Sequence, residues 1–169
     1  FNRIGLARTY FKRLDELEKA HPGDYKHFFD EQKGRGHGID YKDGPAWIAK
    51  HTRTAVPDQF HWTVIKQHDR HRNRLYWLAL DSTLTKLPLK LTAKANRKNN
   101  TIVITAKDIS LRVYLNDTLA DLSKEVTIMV NGKQVFKGIA QASMEALIRS
   151  TAERGDPKQV FPAQVKVKF

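Results

Sequence analysis

The stretch Val126-Thr127-Ile128-Met129-Val130-Asn131-Gly132-Lys133-Gln134-Val135-Phe136 decides the fold. Val126, Ile128 and Val130 recur at the two-residue period of a strand with one buried face. Asn131-Gly132 tolerates the positive φ angles of a type I′ turn, and Val135 and Phe136 resume the apolar pattern. The spacing therefore predicts a β-hairpin.

The same period extends outward from that hairpin. Ile109, Leu111, Val113 and Leu115 alternate with Ser110, Arg112 and Tyr114, which are predicted to face away from the core. Thr101 to Thr105 is β-branched throughout. Leu89, Leu91 and Ala93 alternate with polar neighbours, Leu75 to Leu80 is an apolar run, and Phe60, Trp62 and Val64 alternate with His61, Thr63 and Ile65. Val165, Val167 and Phe169 form a last strand. One helix interrupts this series: Met144, Leu147, Ile148 and Thr151 share a face near residues 141–154, and Gly155-Asp156-Pro157 ends it. Many short strands with turn signals predict a mainly antiparallel β-sandwich over residues 57–169, of the immunoglobulin, fibronectin or jelly-roll kind, carrying one inserted helix.

Residues 1–56 have another pattern. Leu6, Ala7, Tyr10, Phe11, Leu14 and Leu17 repeat at helical spacing, Asp15 and Lys19 form an i,i+4 pair, and His21-Pro22-Gly23 ends the helix. Tyr25 to Gln32 reads as a strand. Gly34-Arg35-Gly36-His37-Gly38 follows, and a second helix is predicted from Pro45 to Thr52, burying Trp47, Ile48 and His51. The expected class is α+β: an N-terminal helix-strand-helix segment, then the sandwich. The first part is small for a core of its own.

The 169 residues carry 30 Lys+Arg against 18 Asp+Glu, a formal net charge of +12, which favours polyanions or acidic surfaces as partners. The basic residues run from Arg3 to Lys168 without forming one block, so a solvated basic surface is the simpler expectation and nucleic acid is not the expected partner. With no cysteine, disulfides and thiolate metal sites are excluded. No apolar run approaches the ~18 residues of a membrane span. Phe1 rather than methionine opens the sequence, and the expectation is a processed product or a fragment of something longer.

Several residues are candidates for chemistry. His37, set between glycines, could present its imidazole as a general base. His68-Asp69-Arg70-His71 has an H-x-x-H spacing, but a metal needs three or four converging ligands, and a solvated hairpin tip is expected instead, with no metal. Trp62, Tyr76 and Trp77 could form a platform for sugars or bases, against the plainer expectation of core packing. Asp117 and Asp121 could pair as carboxylates, but are expected to cap turns. Asn99-Asn100 reads as a turn signal.

Tyr25-Lys26-His27-Phe28-Phe29, Gly34-Arg35-Gly36-His37-Gly38 and the Trp47-containing helix resemble the C-terminal end of an α/β-hydrolase of the prolyl-oligopeptidase or dienelactone-hydrolase type. The remainder is similar to the β-domain that follows such modules in some bacterial secreted or periplasmic esterase- and peptidase-like proteins. The carriers are Trp47-Ile48, His51-Thr52-Arg53, Pro57, Trp62, Asn73 to Leu78, Leu115-Asn116-Asp117 to Asp121-Leu122, and Val130-Asn131-Gly132-Lys133. The resemblance implies that His37 is the triad histidine, that no cofactor is needed, that a periplasmic or secreted setting is favoured, and that the partner is the remainder of a parent enzyme acting on an ester or polymer. Two departures bear on activity. No Gly-x-Ser-x-Gly occurs in the 169 residues, and the acids before His37 are only Asp15, Glu16, Glu18, Asp24, Asp30 and Glu31. The chain is therefore expected to be inactive alone. A carbohydrate- or polymer-binding sandwich and a basic nucleic-acid-binding protein are the rival expectations.

Overall fold

The computed structural model describes residues 3–36, 38–65, 73–81, 83–84, 86–107 and 109–168. The chain divides into two compact units, Phe1–Thr52 and Arg53–Phe169.

The first unit contains α1 (Arg3–Ala20) and α2 (Asp43–Ile48). Tyr25 to Gln32 is not a strand, because among the described residues of this unit no second strand offers a ladder of backbone partners. Instead the segment lies on α1 through side chains. The Phe11 ring stacks on Phe29 at 5.0 Å and meets His27 at 4.9 Å. Asp15 bonds His27 at 3.1 Å. The second helix is shorter than predicted, although turn bonds continue its path as far as His51. Its apolar side is not buried: Ile48 is 64% exposed, and Trp47 is only partly covered, by Phe28 and His51. No described residue of this unit is buried.

The second unit is a two-layer sandwich, mixed α+β in class. One sheet has the order β1 (Gln59–Val64), β4 (Leu89–Asn96), β5 (Thr101–Thr105), β7 (Glu125–Val130), β8 (Lys133–Ile139). The other has β2 (Arg74–Leu75), β3 (Leu78–Leu80), β6 (Ser110–Leu115), β9 (Ala163–Lys168). All pairings are antiparallel except β5 with β7. Leu91, Ile102, Ile104, Ile128 and Val130 from the first sheet meet Leu78, Leu111, Val113 and Leu115 from the second in one core. The predicted hairpin forms, with Val130 opposite Lys133 and Asn131 and Gly132 at φ 50 and 79.

The helix α3 (Met144–Arg154) is capped as its sequence requires. Ser143 Oγ accepts from the Ala146 N–H at 3.1 Å, and Gly155 closes it at φ 60. This helix and the 3-10 turn Pro157–Gln159 cover the outer side of the four-stranded sheet. Arg112 and Tyr114 are therefore buried, where the alternation alone assigned them to the exposed side.

Candidate functional site

The glycine-rich loop of the first unit is framed by one side chain. The Gln32 carboxamide donates to the Asp40 carbonyl at 2.8 Å and accepts from the Asp40 N–H at 2.9 Å. It satisfies both backbone groups as a neighbouring strand would, and so closes the intervening loop. Gly34 and Gly36 sit at φ 75 and 55, where a Cβ would be strained. The Gly38 N–H bonds the Arg35 carbonyl at 2.8 Å. His37 itself lies outside the described residues.

Beside this loop is a cleft of about 410 Å³ lined by Ile4, Arg8, Glu31, Lys33, Gly34 and Ile39, among others. Arg8 donates two bonds to the Glu31 carboxylate, at 2.8 and 2.5 Å. The pairing raises the Arg8 pKa and lowers that of Glu31, so both stay charged.

His27 is held differently. Nδ1 faces the Tyr25 carbonyl at 2.8 Å and Glu18 at 3.2 Å, and Nε2 faces Asp15 at 3.1 Å. Every partner is an acceptor, so both ring nitrogens are best protonated. The Tyr25 carbonyl, more than the carboxylates, pushes the pKa up. With an acceptor facing each ring nitrogen, His27 has no free nitrogen to serve as a general base. The predicted Asp15–Lys19 pair gives way to this contact.

In the sandwich the aromatic trio does not form a platform. Trp77 is fully buried and its Nε1 donates to the Pro57 carbonyl at 2.7 Å. Trp62 and Tyr76 are partly buried against the same core. The Phe60 ring packs between Tyr76 and Trp77 at 5.2 and 5.0 Å. Tyr76 sits at φ 50, a strained value for a bulky residue, and turns β2 into β3. Asp117 and Asp121 act locally. Asp117 accepts from the Leu122 N–H at 3.4 Å, whereas Asp121 accepts from the Ser123 N–H and hydroxyl at 3.1 and 2.6 Å. The Lys124 ammonium and Ser123 hold Asp121 far below the ordinary carboxylate range. His68 and His71 lie outside the described residues. Among the described residues no three His, Cys, Asp or Glu side chains group to hold a metal ion.

Alternation in the sequence did not reveal the buried polar cluster beneath α3. Arg74 donates to the carbonyls of Tyr76, Ser150 and Gln159 at 2.8, 2.7 and 2.9 Å and lies 3.5 Å from Glu153. Arg112 pairs with Asp81 and lies 3.7 Å from Glu153. The Tyr114 hydroxyl donates to Glu153 at 2.9 Å. Burial is the main cause that pushes the Tyr114 pKa up to about 12 and that lowers the Arg74 pKa. Most polar groups here, the buried Arg112 Nε–H excepted, are consumed by other groups of the fold, which makes the cluster a fastening for α3.

Compared with protein families, curated proteins and solved structures, the chain gives no match.

Proposed function

We propose that this chain is the C-terminal portion of an α/β-hydrolase of esterase or peptidase type, bearing the histidine loop, joined to an accessory β-sandwich, and without turnover of its own. The observation that carries the reading is the first unit's unspent apolar surface. None of its described residues is buried, and Leu6, Tyr10 and Ile48 are each more than 60% exposed. That composition suits a helix pair and loop completed by a larger sheet.

The loop supports the reading on a second ground. A side-chain clamp between Gln32 and Asp40, with left-handed glycines inside it, suits a histidine held out toward a nucleophile and an acid on other segments. The sandwich contributes rigidity and no reactive group in this reading. The test is the reading frame ahead of Phe1. An in-frame Gly-x-Ser-x-Gly followed by an acid supports the assignment, and a frame lacking that motif contradicts it.

A further inference from the structure

We propose that the outer face of the five-stranded sheet binds a linear anionic polysaccharide. Register sets the residues of this face in rows: Thr63 beside Lys90, His61 beside Thr92 and Thr105, and Gln59 beside Lys94 and Val103. Lys90 and Lys94 are exposed, four residues apart on β4, or about 13 Å along the strand. Of the outward residues of these five strands, only Glu125 is acidic, and it already lies 3.6 Å from Lys137. The two β4 lysines thus meet no anion across the sheet.

The other sheet shows how this molecule treats a comparable row. Arg74, Ala79, Arg112 and Lys166 are in register across it, and α3 lies over them. Glu153 of α3 serves both arginines, and the carboxyl of Glu145, two turns earlier, is held low by Gln164, Arg149 and Lys166. A basic row on one side is matched by acids from the chain itself. On the five-stranded side no acid among the described residues of the sandwich is paired with Lys90 or Lys94.

The chemistry of the open face selects its ligand. Its one outward aromatic ring on these strands is the small imidazole of His61, because Phe60, Trp62 and Phe136 take the inward positions. Successive bases therefore have no row of rings to stack on. Among the described residues of the sandwich no helix or ribbon stands out from this face to enter a major groove. Lysine and threonine in place of arginine, tyrosine and tryptophan are unlike the centre of a protein interface. Lysine ammonium groups meet sulfates or carboxylates as point charges, and Thr63, Thr92 and Thr105 can exchange hydrogen bonds with sugar hydroxyls.

The test is elution of the full chain from heparin-agarose and from immobilised polygalacturonate, with single-stranded DNA-cellulose as comparison. The variant Lys90→Glu/Lys94→Glu is set against Lys12→Glu/Lys19→Glu, which makes the same charge change on exposed positions of α1. At about 0.15 M salt, wild type and the α1 variant are expected to remain on a polysaccharide column, while the β4 variant is lost. Retention on heparin alone assigns a sulfated ligand, and retention on both resins assigns any polyanionic glycan. Equal behaviour of the two variants overturns the proposal, as does an equal, β4-dependent loss from DNA-cellulose. If the glutamate pair does not fold, Lys90→Gln/Lys94→Gln decides: it must elute before wild type, and co-elution with wild type overturns the proposal.

Discussion

The Arg74 guanidinium carbon lies 4.6 Å from the centre of the Tyr114 ring, so a buried cation rests on an aromatic face. Phe161 flanks the same group at 5.0 Å. Stacking, three carbonyl acceptors and Glu153 together offset the cost of burying this charge. The side chain joins β2 to α3 and to the 3-10 turn, elements more than seventy residues apart in sequence.

Arg74→Ala leaves Glu153 without one of its cations and removes the guanidinium donor from the carbonyls of Tyr76, Ser150 and Gln159. The expected loss is about 3–5 kcal/mol in chemical denaturation. Arg74→Lys keeps the charge but not the fork, and is expected to fall between the two. A change below about 1 kcal/mol for the alanine variant would contradict the role assigned to the cluster.

Asn100 is the second fastening. Its carboxamide donates to the carbonyls of Asp121 and Glu125 at 2.9 and 3.0 Å and accepts from the Asp121 N–H at 2.7 Å. Its φ of 53 is one that asparagine tolerates. Asn100→Ala is expected to cost about 2–4 kcal/mol. Asn100→Asp should be at least as damaging, since a carboxylate would face two carbonyls. Thermal unfolding of the three proteins measures this, and an aspartate variant as stable as wild type would refute the donor roles.

His27 gives the first unit a pH dependence of defined sign. Its pKa is raised above 6.5, so the folded form favours the proton. The stabilisation is fully present below about pH 6.5 and fades as pH rises through the folded value. Protection factors of amides in α1 and the 25–29 segment, which divide out the base-catalysed intrinsic rate, should therefore fall on the alkaline side, and His27→Gln should abolish that dependence. Lower protection on the acid side of neutrality in wild type would reverse the sign and defeat the assignment.

The sandwich was legible wherever a strand had one wet face. The alternation of Leu89, Leu91 and Ala93 and the Asn131-Gly132 turn both appear as read. Periodicity names the side on which a residue lies, not what covers that side. Arg112 and Tyr114 were thus read as outward without sight of α3 above them. Asn99-Asn100 lies in a turn as read, but the partners of Asn100 at Asp121 and Glu125 are too distant in sequence for that signal to show its second role. Tyr25 to Gln32 has strand composition, but a strand needs a partner, and composition does not supply one. The glycine pattern around His37 was visible at once, whereas the Gln32–Asp40 clamp that frames it depends on a loop closure that no local signal encodes.

Hydrolysis of p-nitrophenyl esters by the purified chain and by His37→Ala tests the central claim most directly. The account predicts that both proteins match the buffer rate, because the proposed function assigns the nucleophile to another segment and the 169 residues hold no Gly-x-Ser-x-Gly. Turnover by the wild-type chain that His37→Ala abolishes would contradict it.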